Sequence, residues 1–219
     1  MFRAAIFDMD GTLVDSEACW RLAEQQVFGA VGIHITDEMS AVTAPLSPRQ
    51  VTEHWYSVRP WGEPSLQQME AAVIERVAEQ LQQRCHALPG VREILEQCAH
   101  MGWRVALASN SPGRLCHLVL RQLGIASRFD AVISVDDVVR GKPEPDIYLL
   151  AARRLGVAPA ECLAFEDSLT GVRAAHAAGM RVVAISAQAF PEADVRPHLT
   201  LGALHEFNAG HVVELGRGA

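Results

Sequence analysis

From residue 89 onward, the sequence alternates short apolar runs with longer amphipathic segments that end at a glycine. Uninterrupted apolar runs of this length are typical of strands that are buried on both faces of a parallel sheet. A glycine directly after the last apolar position is a helix stop. The alternation therefore predicts an α/β fold with a doubly wound, Rossmann-like parallel sheet. The predicted strands are 104–108, 131–135, 163–165, 181–185 and, more weakly, 199–201, and the predicted helices are 89–101, 112–123, 143–155, 169–178 and, more weakly, 204–215.

The first apolar run, Ala4 to Phe7, predicts another buried strand, and it ends abruptly in Asp8, Asp10 and Gly11. In extended chain the two aspartates project to the same side. Neighbouring carboxylates repel each other unless a cation lies between them or one of them is protonated. In open α/β sheets, ligands bind at the carboxyl ends of the strands. The pattern indicates a functional site here, although an ordinary Asp-Gly turn is the alternative.

Residues 16–85 carry helical periodicity and no strand pattern. A helix is predicted from Glu17 to Val31, and Ser47 and Ser65 each have the sequence context of a helix N-cap. We therefore expect a core formed by residues 1–15 and 86–219, with residues 16–85 inserted as a helical cap domain. The predicted apolar faces of the two later cap helices are formed by Val51, Trp55 and Val58, and by Met69, Val73, Val77 and Leu81.

Composition excludes several classes of partner. The chain has 219 residues, a hydrophobic content of 49% and a net charge of −7. The negative charge argues against nucleic acid or an anionic membrane as the main partner. The five cysteines form no C-x-x-C pair, and no apolar run reaches the ~20 residues of a membrane helix. With Arg3 followed closely by acids, we also expect no signal peptide, and hence a cytoplasmic protein with reduced thiols. The sequence does not fix the oligomeric state, and a monomer is the expectation.

Four segments in order resemble the motifs of the haloacid dehalogenase-like phosphatases. They are Asp8-Met9-Asp10-Gly11-Thr12, the apolar run that ends in Ser109-Asn110, Gly141-Lys142-Pro143, and the apolar run that ends in Glu166-Asp167-Ser168. The helical segment resembles the sugar-phosphatase branch with a helical cap, and His54-Trp55-Tyr56 and Arg59-Pro60-Trp61 resemble its hexitol phosphatase and 2-deoxyglucose-6-phosphatase group. The resemblance implies a Mg²⁺-dependent phosphatase that hydrolyses small phosphorylated sugars or polyols through an aspartyl phosphate.

The resemblance also implies a role for each motif residue. Asp8 is expected to be the nucleophile and Asp10 the general acid and base. Ser109, the backbone at Asn110 and Lys142 are expected to bind the phosphoryl oxygens. Helix capping by Ser109 and ordinary surface exposure of Lys142 are the alternatives. Further substrate contacts are expected from Met9 and from Glu17.

The expected metal ligands are Glu166, Asp167, the carboxylate of Asp8 and the carbonyl oxygen of Asp10. Oxygen-only ligands and a phosphate substrate favour Mg²⁺ over zinc. Capping of the next helix by Asp167 and Ser168 is the alternative.

Two other functions are left open by the sequence. A β-phosphoglucomutase-like enzyme would hold a second phosphate with a cap arginine, but the usual glycine and arginine register is absent, and Arg49 is the nearest substitute. A non-catalytic phosphosugar-binding module would require every acid of the motifs to be idle. The sequence does not identify the sugar, nor whether Arg49 or Trp61 contacts it, and Trp55 is expected in the cap core.

Overall fold

The computed structural model describes residues 1–44, 46–186 and 194–217. The chain divides into two compact units, one formed by Met1–Asp15 with His86–Ala219 and the other by Ser16–Cys85. Pro45, which lies four residues before Arg49, falls outside the described residues. No helix among those described is long and apolar enough to cross a membrane.

The larger unit contains a six-stranded parallel sheet, which confirms the predicted fold class. Its strand order is β3-β2-β1-β4-β5-β6, so the chain builds outward on one side of the first strand and then on the other. This reversal places β1 in the interior of the sheet, where open α/β sheets have their ligand crevice. The strands are β1 (Ala4–Phe7), β2 (Arg104–Ala108), β3 (Ala131–Ile133), β4 (Cys162–Glu166), β5 (Arg181–Ile185) and β6 (Leu199–Leu201).

Strand β1 is completely buried because it has a neighbour on each side and helices over the sheet. All four of its residues have a relative exposure of 0%. Phe7 pairs with Leu107 of β2 and with Phe165 of β4, and its ring stacks on that of Phe165 at a centroid distance of 4.7 Å. The residues that follow β1, β2 and β4 therefore lie at the same edge of the sheet.

Four helices of this unit end within one residue of the predicted position, and the one predicted from Pro143 differs most from its prediction at its start. Gly102, Gly124, Gly156 and Gly179 each adopt a positive φ after a helix. The helix predicted from Pro143 begins only at Asp146 because Glu144 closes a turn onto Gly141 and the two prolines of the loop have no N–H to donate. The last predicted helix is split into a 3₁₀ turn, Leu204–Glu206, and an α-helix. The helices of the unit are Val91–His100, Gly113–Gln122, Asp146–Leu155, Leu169–Ala177 and Ala209–Arg217.

In the described part of the smaller unit, all regular secondary structure is helical. Its helices are α1 (Glu17–Gly29), α2 (Asp37–Thr43), α3 (Pro48–Val58) and α4 (Leu66–Arg84), followed in the larger unit by α5 to α9 in the order just given. Ser47 and Ser65 are N-caps, as predicted, and each also forms a capping box with the glutamine three residues later.

The apolar faces of α3 and α4 form the core of the smaller unit. The predicted face of α4 is buried, and so are Val51 and Trp55 of α3. The prediction for Val58 is wrong: its side chain is 60% exposed at the end of the helix, where the last turn leaves the packed face. Trp55 is 3% exposed and belongs to this core.

Candidate active site

The sheet places the first and last acidic motifs next to each other. Asp8 follows β1 directly, and its backbone N–H donates to the carbonyl of Phe165 in β4 at 3.0 Å. Because Phe7 pairs with Phe165, Glu166 lies at the level of Asp8. Ser109 follows β2 on the other side of β1, and its N–H donates to Ile133 at 3.0 Å. The local sequence alone could not give this arrangement, because it depends on the pairing of β1 with β2 and with β4, which are distant in the sequence.

Lys142 is buried between two of these acids. Its side-chain nitrogen, Nζ, lies 2.5 Å from Oδ1 of Asp8 and 2.5 Å from Oε1 of Glu166. The whole residue is 5% exposed. A lysine is almost never buried to this extent unless its charge is paired. The structure therefore excludes the alternative in which Lys142 is an ordinary surface charge.

The loop of Lys142 is held by the side chain of Asn110. The Asn110 carboxamide accepts from the Lys142 backbone N–H at 2.8 Å and donates to the Lys142 carbonyl at 3.1 Å. Gly141 makes this approach possible, because a Cβ atom there would lie 2.5 Å from the Asn110 side-chain oxygen. The carboxamide thus contacts the lysine loop, and any contact of Asn110 with a phosphate would be made by its backbone.

Glu166 is fully buried and has polar partners on both carboxylate oxygens. Besides Lys142, Oε1 accepts from the hydroxyl of Tyr148 on α7, and Oε2 lies 3.3 Å from the hydroxyl of Ser168. Helix α8 can approach because its first turn contains Gly171, where a Cβ atom would lie 1.9 Å from the carboxylate. Nζ of Lys142 also lies 5.2 Å from the centre of the Tyr148 ring, within the range of a cation–π contact. The sequence analysis missed Tyr148, since nothing in the local pattern separates it from a core aromatic residue.

The turn after β2 carries two serines with different partners. Ser109 is 1% exposed, and its hydroxyl accepts from the backbone N–H of Ser111 at 3.0 Å. It does not cap the following helix, because Pro112 occupies the N-cap position of α6. The hydroxyl of Ser111 donates to Oδ2 of Asp10 at 2.7 Å. The sequence analysis missed Ser111 as well, because its partner is 101 residues away.

The acids at this edge form a group that suits a cation. Carboxylate oxygens of Asp8, Glu166 and Asp167 all lie within 4.8 Å of one another. Gly11 allows this, because a Cβ atom there would lie 2.0 Å from Oδ2 of Asp167, and its φ of +76° is one that L side chains rarely adopt. Ser168, and not Asp167, caps α8 through its hydroxyl. A cluster of buried carboxylates that consists only of oxygen donors fits a hard divalent cation.

The pKa values of these groups indicate that one ammonium does not neutralise the cluster. Burial raises the pKa of Asp8, Lys142 lowers it, and the neighbouring acids raise it again, so that it lies well above its usual value. Burial and then Glu166 raise the pKa of Asp167 from 3.8 to about 7, against the opposing effect of Lys142. Burial lowers the pKa of Lys142, but Asp8 and Glu166 raise it above its usual value, so the side chain remains an ammonium. The excess negative charge is what a bound divalent cation would offset.

Four other predicted or open positions contribute no side chain to this cluster. Met9 is fully buried, so a substrate contact there could come only from its backbone. Glu17 lies in the first turn of α1 in the smaller unit, and its side chain is exposed. Arg49 forms an exposed ion pair with Glu53 at 2.9 Å. Trp61 packs edge-on against Phe28 and Tyr56 and donates from its indole nitrogen to the carbonyl of Pro64 at 2.8 Å.

Comparisons with known proteins agree with this arrangement. The family profile of haloacid dehalogenase-like hydrolases matches residues 2–179. Hexitol phosphatase B of Escherichia coli K12 is 39% identical over 199 residues, which cover 90% of this chain and 88% of that protein. The phosphorylated carbohydrates phosphatase of Thermotoga maritima is 35% identical over 189 residues, or 81% of this chain and 82% of that protein. The crystal structure of CbbY from Rhodobacter sphaeroides in complex with phosphate superposes with a TM-score of 0.82 at 27% identity, covering 94% of this chain and 96% of that one.

Proposed function

Because the chain belongs to the haloacid dehalogenase-like hydrolase family, we propose that it is a magnesium-dependent phosphatase for small phosphorylated sugars or polyols. The observation that carries the proposal is the buried Lys142 ammonium, which lies 2.5 Å from Asp8 on one side and 2.5 Å from Glu166 on the other. A fixed cation between a candidate nucleophile and a candidate metal ligand is suited to binding a phosphoryl group. The names of the two sugar-phosphate phosphatases support the substrate class.

In this proposal the Asp8 carboxylate attacks phosphorus and the bond from phosphorus to the sugar oxygen breaks. The product of this step is an aspartyl phosphate on Asp8 and a free sugar hydroxyl. Asp10 gives its proton to the leaving oxygen, then accepts a proton from the water that attacks the phosphorus of the intermediate. That second step releases inorganic phosphate and restores both carboxyl groups.

The other residues bind the phosphoryl oxygens and stabilise their charge. Lys142 supplies a positive charge that its burial keeps unscreened by water. Ser109 supplies a hydroxyl at the end of β2, and the backbone N–H groups of the same turn supply further donors. Electrostatic stabilisation of the transferring group is the main contribution that a protein makes to phosphoryl transfer.

Asp8, Glu166, Asp167 and the carbonyl of Asp10 would hold the divalent cation. When bound, Mg²⁺ would neutralise part of the charge on the phosphoryl oxygens and orient them. The four carboxylates of the site face one ammonium, and the pKa of Asp167 lies near 7 in their presence. A cation is therefore the simplest means of keeping Asp8 ionised for attack at neutral pH.

We assign residues 16–85, which form a separate compact unit, to a cap domain that selects the leaving group, while the acidic cluster is formed by residues of the larger unit. Sugar and polyol phosphates occur inside cells, and all five cysteines are free thiols, so a cytoplasmic enzyme is the setting we propose. A monomer remains the prediction.

The proposal is tested by measuring phosphate release from a panel of hexose, hexitol and pentitol phosphates in Mg²⁺ and in chelator. We expect release from several members of the panel, none in chelator, and none by Asp8→Asn under any condition. The matched control is Asp37→Asn, which removes a carboxylate that is 69% exposed and paired with Arg21 in the smaller unit.

The intermediate is tested by trapping the wild-type enzyme with labelled substrate and locating the label by mass spectrometry. Label on Asp8 supports the assignment. Label on another side chain, or full activity of Asp8→Asn, would contradict it. Full activity of the wild type in chelator would contradict the cation site.

A further inference from the structure

Ser111 donates a side-chain hydrogen bond to the candidate general acid, Asp10, yet it lies outside the four motifs. Its hydroxyl is 2.7 Å from Oδ2 of Asp10, and the residue is 5% exposed. This distance is the usual one for a hydrogen bond from a hydroxyl to an oxygen acceptor. No part of the proposed chemistry uses this hydroxyl directly, since it contacts Asp10 and not a reacting atom.

The position of Ser111 is fixed by its other polar groups. Its backbone N–H donates to the hydroxyl of Ser109 at 3.0 Å, and its carbonyl accepts from the thiol of Cys116 at 3.6 Å. Pro112 follows immediately, so the next φ angle is restricted as well. Every polar group of Ser111 therefore has a partner, and these contacts hold its backbone at the position from which the hydroxyl reaches Asp10.

A fixed donor on one carboxyl oxygen determines where Asp10 can carry its proton. While Oδ2 accepts from Ser111, the transferable proton belongs on Oδ1. We propose that Ser111 is a positioning residue that holds Asp10 with its protonated oxygen directed to the leaving group. The proposal rests on the phosphatase function proposed above and adds a specific step to it, the transfer of the Oδ1 proton to the sugar oxygen as the phosphorus–oxygen bond breaks.

The test uses two esters whose leaving groups differ in their need for a proton. A sugar alkoxide is strongly basic and requires protonation as it leaves, whereas 4-nitrophenolate is stable as an anion. The parameter kcat/KM reports the steps up to departure of the leaving group, so later hydrolysis of the aspartyl phosphate does not affect it. The substrates are the best sugar phosphate of the panel and 4-nitrophenyl phosphate.

We expect Ser111→Ala to lower kcat/KM for the sugar phosphate about 10-fold, through kcat more than KM, because Asp10 loses the hydrogen bond that fixes its orientation. For 4-nitrophenyl phosphate we expect a loss below about 3-fold, since general acid catalysis contributes little when the leaving group needs no proton. Ser111→Thr, which keeps the hydroxyl, should retain sugar-phosphate activity within about 3-fold of wild type. If Ser111→Ala does not fold, Ser111→Cys replaces it in the same comparison.

The matched control is Ser134→Ala, which removes a buried serine of the same unit. The hydroxyl of Ser134 donates to Asp137 at 2.8 Å, outside the candidate site. This variant should lower the melting temperature without changing the ratio of the two kcat/KM values. The proposal would be overturned by any of three results. Ser111→Ala could lose equal activity on both substrates, it could lose activity on neither, or Ser111→Thr could show the same selective loss as Ser111→Ala.

The same experiment separates the two levels of inference. A wild-type enzyme that releases phosphate from neither ester contradicts the phosphatase function itself. A wild-type enzyme that hydrolyses both, with Ser111 variants that do not discriminate between them, leaves the function intact and removes only the role of Ser111.

Discussion

Asp167→Asn should stabilise the cation-free protein while it removes a proposed metal ligand. Burial and the neighbouring charge of Glu166 raise the pKa of Asp167 from 3.8 to about 7. The folded protein therefore binds this proton more tightly than the unfolded chain does, and the free energy of unfolding falls as pH rises from about 4 to about 7. Asparagine has nearly the same shape and carries no charge, so the variant does not lose stability through deprotonation of this residue as the pH rises.

The expected magnitude follows from the change in pKa. A rise from 3.8 to about 7 corresponds to about 4 kcal/mol in favour of the protonated form, since a tenfold change in proton affinity is worth about 1.4 kcal/mol. Asp167 is partly exposed, and solvent screening reduces this by about half. We expect Asp167→Asn to gain about 2 kcal/mol at pH 8 and about 1 kcal/mol at pH 5.5. For a chain of this size, a gain of 2 kcal/mol corresponds to roughly 4–8 °C in Tm.

The assay is thermal or denaturant unfolding at both pH values, with chelator or with Mg²⁺. Ligand binding to the folded state adds about 2.7 kcal/mol when the free ligand is 100 times its Kd. The wild type should gain this stabilisation from Mg²⁺ and the variant should not. The variant should therefore be the more stable protein in chelator, and the wild type the more stable in saturating Mg²⁺. Asp146→Asn is the control: this carboxylate pairs with Arg140 at 2.9 Å, and its loss should change stability by less than about 1 kcal/mol without a reversal.

Two results would refute the reasoning about Asp167. A variant that is less stable than wild type in chelator at pH 8 would mean that the carboxylate is favourably paired and not repelled by its neighbours. A variant that gains as much stability from Mg²⁺ as the wild type would mean that Asp167 does not hold the cation.

Four further predictions concern other parts of the molecule. Lys142→Met should lower kcat by about 10²- to 10³-fold in steady-state phosphate release, the effect of losing one preorganised charge donor. Asn110→Ala should cost about 1–3 kcal/mol in denaturant unfolding and lower kcat, because it releases the backbone of Lys142 at both hydrogen bonds. Hexose 1-phosphate should not be isomerised faster than it is hydrolysed, as followed by NMR, and Arg49→Ala should not change this. Leu81→Ala, at a position with 0% exposure, should cost about 2–5 kcal/mol in unfolding.

The fold class and the edge of the sheet that carries the acids could be predicted because both follow from local sequence patterns. The apolar run of β1 and the glycines after the helices are local signals, and they mark elements that the structure confirms. The start of α7 was predicted three residues too early, because the turn from Gly141 to Glu144 competes with the first helical turn. A proline at the beginning of a segment is compatible either with the first turn of a helix or with a turn that precedes the helix.

The contacts that orient the site could not be predicted, because they join residues that are distant in the sequence. Ser111 and Asp10 are 101 residues apart, and the register of β1 and β2 brings them together. Tyr148 is a buried residue on α7, and only its hydroxyl distinguishes it from an ordinary core aromatic. A sequence pattern identifies the residue types that chemistry requires, whereas their supporting hydrogen bonds depend on how the elements pack.

The charge of the site also implies an order of binding. Asp8, Asp10, Glu166 and Asp167 place four acids around the single ammonium of Lys142. A phosphate ester is itself an anion, so without a cation it would enter a region that is already negative and would be repelled. A divalent cation would make the local charge favourable for an anion and, by keeping Asp8 ionised, would also provide the nucleophile. Substrate affinity should therefore depend on Mg²⁺ even for the inactive Asp8→Asn variant, whose remaining acids still exceed its one ammonium. Calorimetric binding of a sugar phosphate to Asp8→Asn, with and without the cation, measures this dependence apart from catalysis, and equal affinities would show that the acids do not repel the substrate.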